Sequence, residues 1–295
     1  MASKSQIRRY LENNGIKNKG NTCFFNSSLQ ALLSLPDLVQ FLVETDFDPS
    51  KQIFCAALQN FITTYSNSKI VDPSSLISVL KGKIKLFDGR QQDAHSFLES
   101  LISKLSDESE TLNSEKRSFL KKILGVHLKD TITCHECGFK STVETVSMIH
   151  YLFIKDSIQK SLDYYLEQQE QIDQSSPWKC TKCKKRGISS LSHSITNTSE
   201  YLIIYLNRFQ STTTKNDNNI VVNDQIIIGN QHYEVIAVVC HSGTLSGGHY
   251  YSYCKRGDDW NEYNDSLVQK SPRPERGGQV YILFYSKVNE DPNNL

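Results

Sequence analysis

The chain has 295 residues, of which 38% are hydrophobic and 22% are charged, so it can bury one large core or two modest ones. Its formal net charge of +1 gives no support for a nucleic-acid partner, and no apolar run approaches the length that spans a membrane. The first ten residues lack the apolar segment of a secretory signal, and with eight cysteines this predicts a reducing compartment, cytoplasmic and/or nuclear, with thiols in metal-binding or catalytic roles.

The first third of the chain is predicted to be mostly helical, because apolar residues recur there at helical spacing. The most regular segment is 90–105, whose first turn holds the polar side chains of Gln91, Gln92 and Asp93. Residues 106–117 are polar and fit either a loop or an extension of that helix. The predicted helices cover residues 5–13, a segment from about 23, residues 36–44, residues 53–65, a segment starting at 72–75, and residues 90–105.

Cys23 is predicted to lie in the first turn of a helix. Gly15 and Gly20 indicate a preceding loop, and Asn21 and Thr22 are good N-cap residues. Unpaired backbone N–H groups and the helix dipole favour a thiolate at this position, so Cys23 is a candidate nucleophile. For a lone cysteine, packing as a small buried hydrophobe is the plainer alternative.

From about residue 123 the pattern changes to strands rich in Val, Ile and Thr. The order of helices first and strands afterwards predicts an α+β fold. The predicted strands cover residues 123–133, 139–148, 201–206, 232–240, 249–255, 259–263 and 279–286, with a short helix at 162–166 and loops at 167–174 and 211–219.

Two Cys-x-x-Cys pairs lie in this strand-rich region, Cys134 with Cys137 and Cys180 with Cys183. One such pair could be redox-active, whereas two of them can complete a tetrahedral metal site. We therefore expect a structural Zn²⁺ ion. Four thiolates leave no open coordination position, so this metal should not be catalytic.

A second candidate for chemistry is His249, which follows a predicted flexible Gly- and Ser-rich loop at 242–248 and stands at the head of a strand. The next predicted strand ends near Asn264. Cys23, His249 and Asn264 could act as nucleophile, base and orienting residue. His241 is the competing base, but we expect it on a strand rather than in the mouth of a cleft, and a lone histidine is more often structural.

These residues belong to sequence blocks that resemble the ubiquitin-specific protease family, in that family's order, over about residues 15–286. The resemblance implies an α+β, papain-like cysteine protease fold in a single catalytic domain. It implies a helical thumb at about 1–122, fingers with a zinc ribbon and part of the palm at 123–200, and a β-rich palm with blocking loops at 201–295. The matching blocks are residues 15–26, residues 91–98, the two cysteine pairs, residues 202–209, residues 247–250 with Trp260 and residues 263–266, and residues 281–285.

The resemblance further implies a deubiquitinating thiol protease that cleaves the (iso)peptide bond after the C-terminal Gly of ubiquitin through a thioester. Cys23 would be the nucleophile, His249 the base and Asn264 its orienting partner, with Asp265 assisting and Asn18 holding the oxyanion. We expect a monomer whose partners are ubiquitin and ubiquitinated proteins. The substrate tail would contact Gln92, Asp93, Gly247, Gly248 and Tyr250.

Four positions depart from the family pattern. Ser96 replaces Glu, Lys19 replaces Leu, and Tyr205 and Asn207 replace His and Lys. None removes a member of the proposed triad, so an active enzyme is expected. The departures leave open two alternatives: a protease for another modifier that ends in Gly-Gly, and a ubiquitin-binding module without turnover.

Overall fold

A computed structural model of the chain describes residues 13–167, 169–171, 178–209, 214–244 and 246–288. The helix predicted over 5–13 lies outside these residues except for its last position. Residues 211–213 of the loop predicted at 211–219 also lie outside them. No helix in the described part is long and apolar enough to cross a membrane. The described helices are α1 (Cys23–Leu32), α2 (Pro36–Glu44), α3 (Ile53–Tyr65), α4 (Ser74–Lys81), α5 (Ala94–Ser109), α6 (Phe119–Leu124) and α7 (Ile158–Glu167).

Several helix boundaries differ from the sequence prediction: α5 ends at Ser109 rather than at 105, and α7 begins at Ile158 rather than at 162. Helix α5 begins at Ala94 rather than at residue 90, because Asp93 is its N-cap and accepts a hydrogen bond from the Ser96 backbone N–H at 2.7 Å. Helix α6 was not predicted, and it includes Ile123, which we expected to open a strand. An apolar run as short as α6 cannot be assigned to helix or strand by periodicity alone.

A large sheet has the strand order β14-β13-β12-β11-β16-β8-β5, with β10 paired to β11. Strand β5 is parallel to β8, and the other pairs of this sheet are antiparallel. The prediction of a loop at 242–248 was wrong for 242–244 and 247–248, because β11 extends to Thr244 and β12 begins at Gly247. Residue 245 lies outside the described part. The strands are β5 (His150–Leu152), β8 (Tyr201–Leu206), β10 (Gln225–Ile228), β11 (Gln231–Thr244), β12 (Gly247–Arg256), β13 (Asp259–Asn264), β14 (Leu267–Lys270) and β16 (Val280–Lys287).

A second sheet has the order β4-β3-β7-β6 and carries the cysteine pairs at one end. Its strands are β3 (Val126–Cys134), β4 (Lys140–Ser147), β6 (Gln169–Gln171) and β7 (Ser189–Asn197). The prediction of a loop at 167–174 was wrong for residues 169–171, which form β6 and pair with β7. Residues 168 and 172–177 lie outside the described part. Two short two-stranded pairs complete the sheets: β1 (Gly15–Ile16) with β2 (Ile70–Val71), and β9 (Ile220–Val221) with β15 (Arg276–Gly277).

Helix α1 lies at the centre of the molecule, and all ten of its residues are buried. It packs against β12 on one side and α5 on the other. At its start, Phe24 and Phe25 contact Phe87 and Phe97, with ring centroids 5.3 to 5.7 Å apart. Because interlocked aromatic rings resist displacement, this cluster fixes the first turn of α1, which carries Cys23.

Candidate active site

Cys23 is the first residue of α1 and is 1% exposed. Its thiol donates a weak hydrogen bond to Oε1 of Gln91, with 3.9 Å between the two atoms. The Gln91 amide in turn donates to Oδ1 of Asn21 at 2.8 Å. Gln91 therefore connects the segment before α5 to the loop that precedes Cys23, and the thiol lies between them.

Burial raises the pKa of the Cys23 thiol above its ordinary value, and the negative charge of Asp265 raises it further. Backbone groups of Tyr250 and Phe24 act in the opposite direction. In the described part of the chain no hydrogen bond joins the Cys23 sulfur to His249. The raised pKa favours the protonated thiol, so a base must remove its proton before it can attack.

His249 lies near the start of β12 and is oriented by Asn264, at the end of β13. The two side chains share a hydrogen bond of 2.8 Å between Nε2 and Oδ1. A carbonyl oxygen of an amide only accepts, so Nε2 must carry the proton and donate it. In the neutral ring, Nδ1 is then the unprotonated nitrogen, which is the state that a general base requires.

Asp265 follows Asn264 directly, yet its side chain also contributes to the site. Adjacent strand residues would point to opposite faces, but β13 ends at Asn264 and Asp265 has a φ of 54°, in the left-handed region. The carboxylate accepts hydrogen bonds from the amides of Asn18 at 2.9 Å and Asn26 at 2.7 Å. Because of this turn, Asn264 can orient His249 while the adjacent Asp265 holds the loop before Cys23.

The loop before Cys23 is folded around the Asn18 side chain. Oδ1 of Asn18 accepts hydrogen bonds from the backbone N–H groups of Gly20 at 3.0 Å and Thr22 at 3.2 Å. Its Nδ2 donates one hydrogen to Asp265 and keeps a second hydrogen for another acceptor. At Gly15 a side chain could not fit, because a Cβ atom would lie 2.3 Å from the Ser266 carbonyl oxygen.

The residues predicted to contact a substrate tail fall into two groups. Gln92 and Asp93 line a cleft of about 610 Å³, whereas the ring of Tyr250 is buried at 2% exposure. Asp93 accepts hydrogen bonds from the Tyr250 hydroxyl at 3.3 Å and from the Tyr281 hydroxyl. The cleft is lined by Asn21, Gly89, Arg90, Gln91, Gln92, Asp93 and Ser246.

The glycines before His249 lie in the hairpin of β11 and β12, where Gly247 is exposed. Gly248 must lack a side chain, because a Cβ atom would lie 2.1 Å from Nε2 of His241. His241 lies on β11, is 1% exposed, and packs against Tyr250 with ring centroids 4.4 Å apart. Burial lowers the pKa of His241 to about 4, and neither ring nitrogen has a hydrogen-bond partner within the described residues.

The four departures from the family pattern have identifiable environments. Lys19 forms an ion pair with Asp72 at 3.1 Å, and Ser96 is in the first turn of α5. The ring of Tyr205 stacks on His95 with centroids 4.1 Å apart. Asn207 is exposed and donates its backbone N–H to the Leu152 carbonyl at 3.0 Å.

Three residues of the site were not assigned a role from the sequence. Gln91 contacts the thiol, Asn26 holds Asp265, and Tyr281 donates to Asp93. Asn26 gave no distinct signal, since Ser27, Ser28 and Gln30 are also polar residues of α1. The contacts of Gln91 and Tyr281 join distant parts of the chain and have no local pattern.

The two cysteine pairs come together in the second sheet. Sγ of Cys134 lies 3.9 Å from that of Cys183, Sγ of Cys137 lies 3.7 Å from that of Cys180, and all four sulfurs lie within 4.8 Å of one another. Each pair stands in the same kind of turn. Gly138 N–H donates to the Cys134 carbonyl at 2.9 Å, and Lys184 N–H donates to the Cys180 carbonyl at 3.0 Å. This cluster could hold a metal ion.

Comparison with known proteins gives a consistent result. Residues 14–285 match the family model described as ubiquitin carboxyl-terminal hydrolase. Ubiquitin carboxyl-terminal hydrolase 25 of Arabidopsis thaliana is 29% identical over 98% of this chain and 49% of its own length. Ubiquitin carboxyl-terminal hydrolase Usp2 of Drosophila melanogaster is 28% identical over 93% of this chain and 35% of its own length. The chain thus spans half or less of these relatives.

A similar solved structure is the SAGA DUB module Ubp8/Sgf11/Sus1/Sgf73 bound to monoubiquitin. The TM-score is 0.78, the sequence identity is 24%, and the alignment covers 98% of this chain and 72% of that chain. At this identity the likeness establishes the shared fold.

Proposed function

Because the chain belongs to the ubiquitin carboxyl-terminal hydrolase family, we propose that it is a cysteine protease that hydrolyses the (iso)peptide bond after the C-terminal Gly of ubiquitin. The observation that carries this proposal is the position of Cys23. It begins a buried helix beside the cleft, with Asn18 before it in the chain and an oriented His249 on the facing sheet. Ubiquitin and ubiquitinated proteins are the proposed partners.

The first chemical step requires His249 to accept the Cys23 proton at Nδ1. The sulfur then attacks the carbonyl carbon of the C-terminal Gly, and the carbonyl oxygen becomes an oxyanion. The free hydrogen of the Asn18 amide and the Cys23 backbone N–H are the proposed donors to that oxyanion. Loss of one such donor typically costs about 2.7–4 kcal/mol of transition-state stabilisation. Asp265 contributes by holding the Asn18 amide in place.

The second step breaks the C–N bond. His249 gives its proton to the leaving amine and leaves a thioester between Cys23 and the Gly carbonyl. Water then attacks the thioester, with His249 again accepting a proton, and the thiol and a free C-terminal carboxylate are released. The hairpin of β11 and β12 would cover a tail without side chains, so steric exclusion would select Gly-Gly ends.

For the cysteine cluster we propose Zn²⁺, held by Cys134, Cys137, Cys180 and Cys183. Zn–S bonds of about 2.3 Å at tetrahedral angles require sulfurs about 3.8 Å apart, and Cys137–Cys180 and Cys134–Cys183 lie at 3.7 and 3.9 Å. A site with four thiolates is closed to substrate, so the ion would stabilise the end of the second sheet.

The test is turnover of ubiquitin joined through its C-terminal Gly to a fluorogenic amine, by the wild type and by Cys23→Ala. We expect the wild type to hydrolyse it, and Cys23→Ala to bind ubiquitin without turnover. Cys254→Ala, in a buried strand position, is the matched control and should remain active. A wild type that binds ubiquitin without turnover would be a binding module, and turnover confined to another modifier would identify a different protease.

A further inference from the structure

An exposed acidic and aromatic patch lies on α5 and β5, and no step of the proposed reaction uses it. It consists of Glu99 on α5, Tyr151 on β5 and Phe153 just after that strand. Tyr151 is 46% exposed and Phe153 is 53% exposed. The Tyr151 hydroxyl donates a hydrogen bond to Oε1 of Glu99 at 3.0 Å. Two exposed aromatic residues two positions apart, one of them hydrogen-bonded to an exposed carboxylate, are typical of a surface that binds a partner.

The Glu99 carboxylate still has binding capacity. Its Oε2 has no hydrogen-bond partner, and no Lys or Arg forms an ion pair with it, within the part of the chain that the structure describes. Asp93 differs, because its oxygens already accept hydrogen bonds from the Ser96 backbone, Tyr250 and Tyr281. Glu99 is therefore the more available carboxylate on this side of the cleft.

Packed aromatic side chains connect the patch to the cleft. Tyr151 packs edge-on against Tyr205 and His95, and Tyr205 contacts Tyr281, which donates to Asp93 in the cleft. Glu99 is six residues beyond the cap of α5, which places it about 9 Å further along the helix axis. A protein whose tail occupies the cleft would thus have its folded body beside the patch.

We propose that Glu99, held by Tyr151, binds a guanidinium group on the folded body of the modifier, and so contributes to substrate affinity. This inference rests on the proposed function. A guanidinium group fits better than an ammonium group, because it can pair with a carboxylate and stack on an aromatic ring at once. The small side chain of Ser96, one turn before Glu99 on α5, leaves room for the incoming group.

The test compares Glu99→Gln with Asp107→Asn, an exposed carboxylate two turns further along the same helix. For whole ubiquitin carrying the fluorogenic amine, we expect Glu99→Gln to raise KM about 5-fold with kcat nearly unchanged. Asp107→Asn should leave both unchanged. Tyr151→Phe keeps the ring and loses the hydroxyl, so it should raise KM by a smaller factor. A short fluorogenic peptide ending in Gly-Gly should not distinguish Glu99→Gln from the wild type.

The same comparison is made by binding in the Cys23→Ala background, so it does not depend on turnover. Cys23→Ala/Glu99→Gln should bind ubiquitin about 5-fold more weakly than Cys23→Ala alone. Equal dissociation constants would overturn this inference and leave the proposed function intact. If Glu99→Gln raised KM for the short peptide as much as for whole ubiquitin, Glu99 would not bind the folded body of the modifier. Absence of wild-type turnover would overturn the proposed function instead.

Discussion

The side-chain amide of Asn18 donates a hydrogen bond to the carboxylate of Asp265 at 2.9 Å, although 247 positions separate the two residues in the chain. This bond joins the loop before the candidate nucleophile to the turn after Asn264. Asp265 also accepts a hydrogen bond from Asn26, within α1. One carboxylate thus fixes the position of the helix that carries Cys23 relative to the strand that orients His249.

The first prediction concerns Asp265→Asn. Asparagine tolerates the left-handed backbone, so the turn should persist, but an amide can accept from only one of Asn18 and Asn26. We expect kcat to fall about 10-fold or more, because the proposed oxyanion donor loses its support. The Asp265 charge raises the pKa of Cys23, so its removal should make the thiolate form at lower pH.

The measurement is ultraviolet thiolate absorbance against pH, with the matching Cys23→Ala protein subtracted, alongside kcat. Reduced turnover with an unchanged thiolate titration would show that Asp265 does not act on the Cys23 charge. Full activity would show that Asp265 does not support Asn18.

The second prediction concerns Asn264→Ala. Without the hydrogen bond to Nε2, His249 loses its fixed ring orientation, and we expect kcat to fall at least ~10-fold with little change in KM. Steady-state kinetics on the ubiquitin substrate measures this. Gln269→Ala, an exposed polar position on the neighbouring strand β14, is the control and should be silent. Wild-type kcat in Asn264→Ala would remove Asn264 from the mechanism.

The third prediction concerns the metal. Freshly purified reduced protein should contain one Zn²⁺ per chain by elemental analysis. Cys183→Ser should lose the ion and lower the thermal midpoint, because binding of a structural metal contributes directly to folding. Cys240→Ala, a buried cysteine in β11, should keep the full metal content. Four freely titratable thiols in a zinc-free and fully stable protein would contradict the assignment.

The fourth prediction is a loss of stability on acidification through His150. Burial lowers its pKa to about 4 from an ordinary value of 6.5. Below about pH 6.5 the unfolded chain binds a proton at this position that the folded chain does not, so the stability present above that pH is lost as pH falls toward 4. Between about pH 7 and pH 5, proton binding by His150 in the unfolded chain lowers the free energy of unfolding by about 2 kcal/mol.

Urea unfolding at both pH values measures this loss in the wild type and in His150→Leu and His150→Phe. In at least one of these variants, the free energy of unfolding should fall by about 1–2 kcal/mol less on acidification than it does in the wild type. His232→Gln, at an exposed position of β11, should lose as much as the wild type. An equal loss in every protein would assign the acid sensitivity to other groups.

Much of the fold follows from local signals. The caps and apolar spacing around Cys23 predict a helix start there, and α1 begins at that residue. The apolar run at Tyr201–Leu206 forms strand β8, as predicted. Strand β6 was missed because its Gln-rich sequence has low strand propensity, and pairing with β7 outweighs that preference.

The candidate site was less predictable than the fold. Adjacent residues of a regular strand point to opposite faces, so Asn264 and Asp265 could not both face the cleft in such a strand, and the positive φ of Asp265 removes that restriction. The hydrogen bonds of Asp93 with Tyr250 and Tyr281 span 157 and 188 positions. Contacts of that separation depend on the assembled sheet, which no local pattern encodes.

The most direct test of the central claim is covalent capture by ubiquitin whose C-terminal carboxylate is replaced by a thiol-reactive electrophile. Mass spectrometry of the digested adduct identifies the modified cysteine. We predict one ubiquitin per chain, attached at Cys23, with no adduct in Cys23→Ala. Attachment at another cysteine, or no attachment by a protein that still binds ubiquitin, would contradict the account.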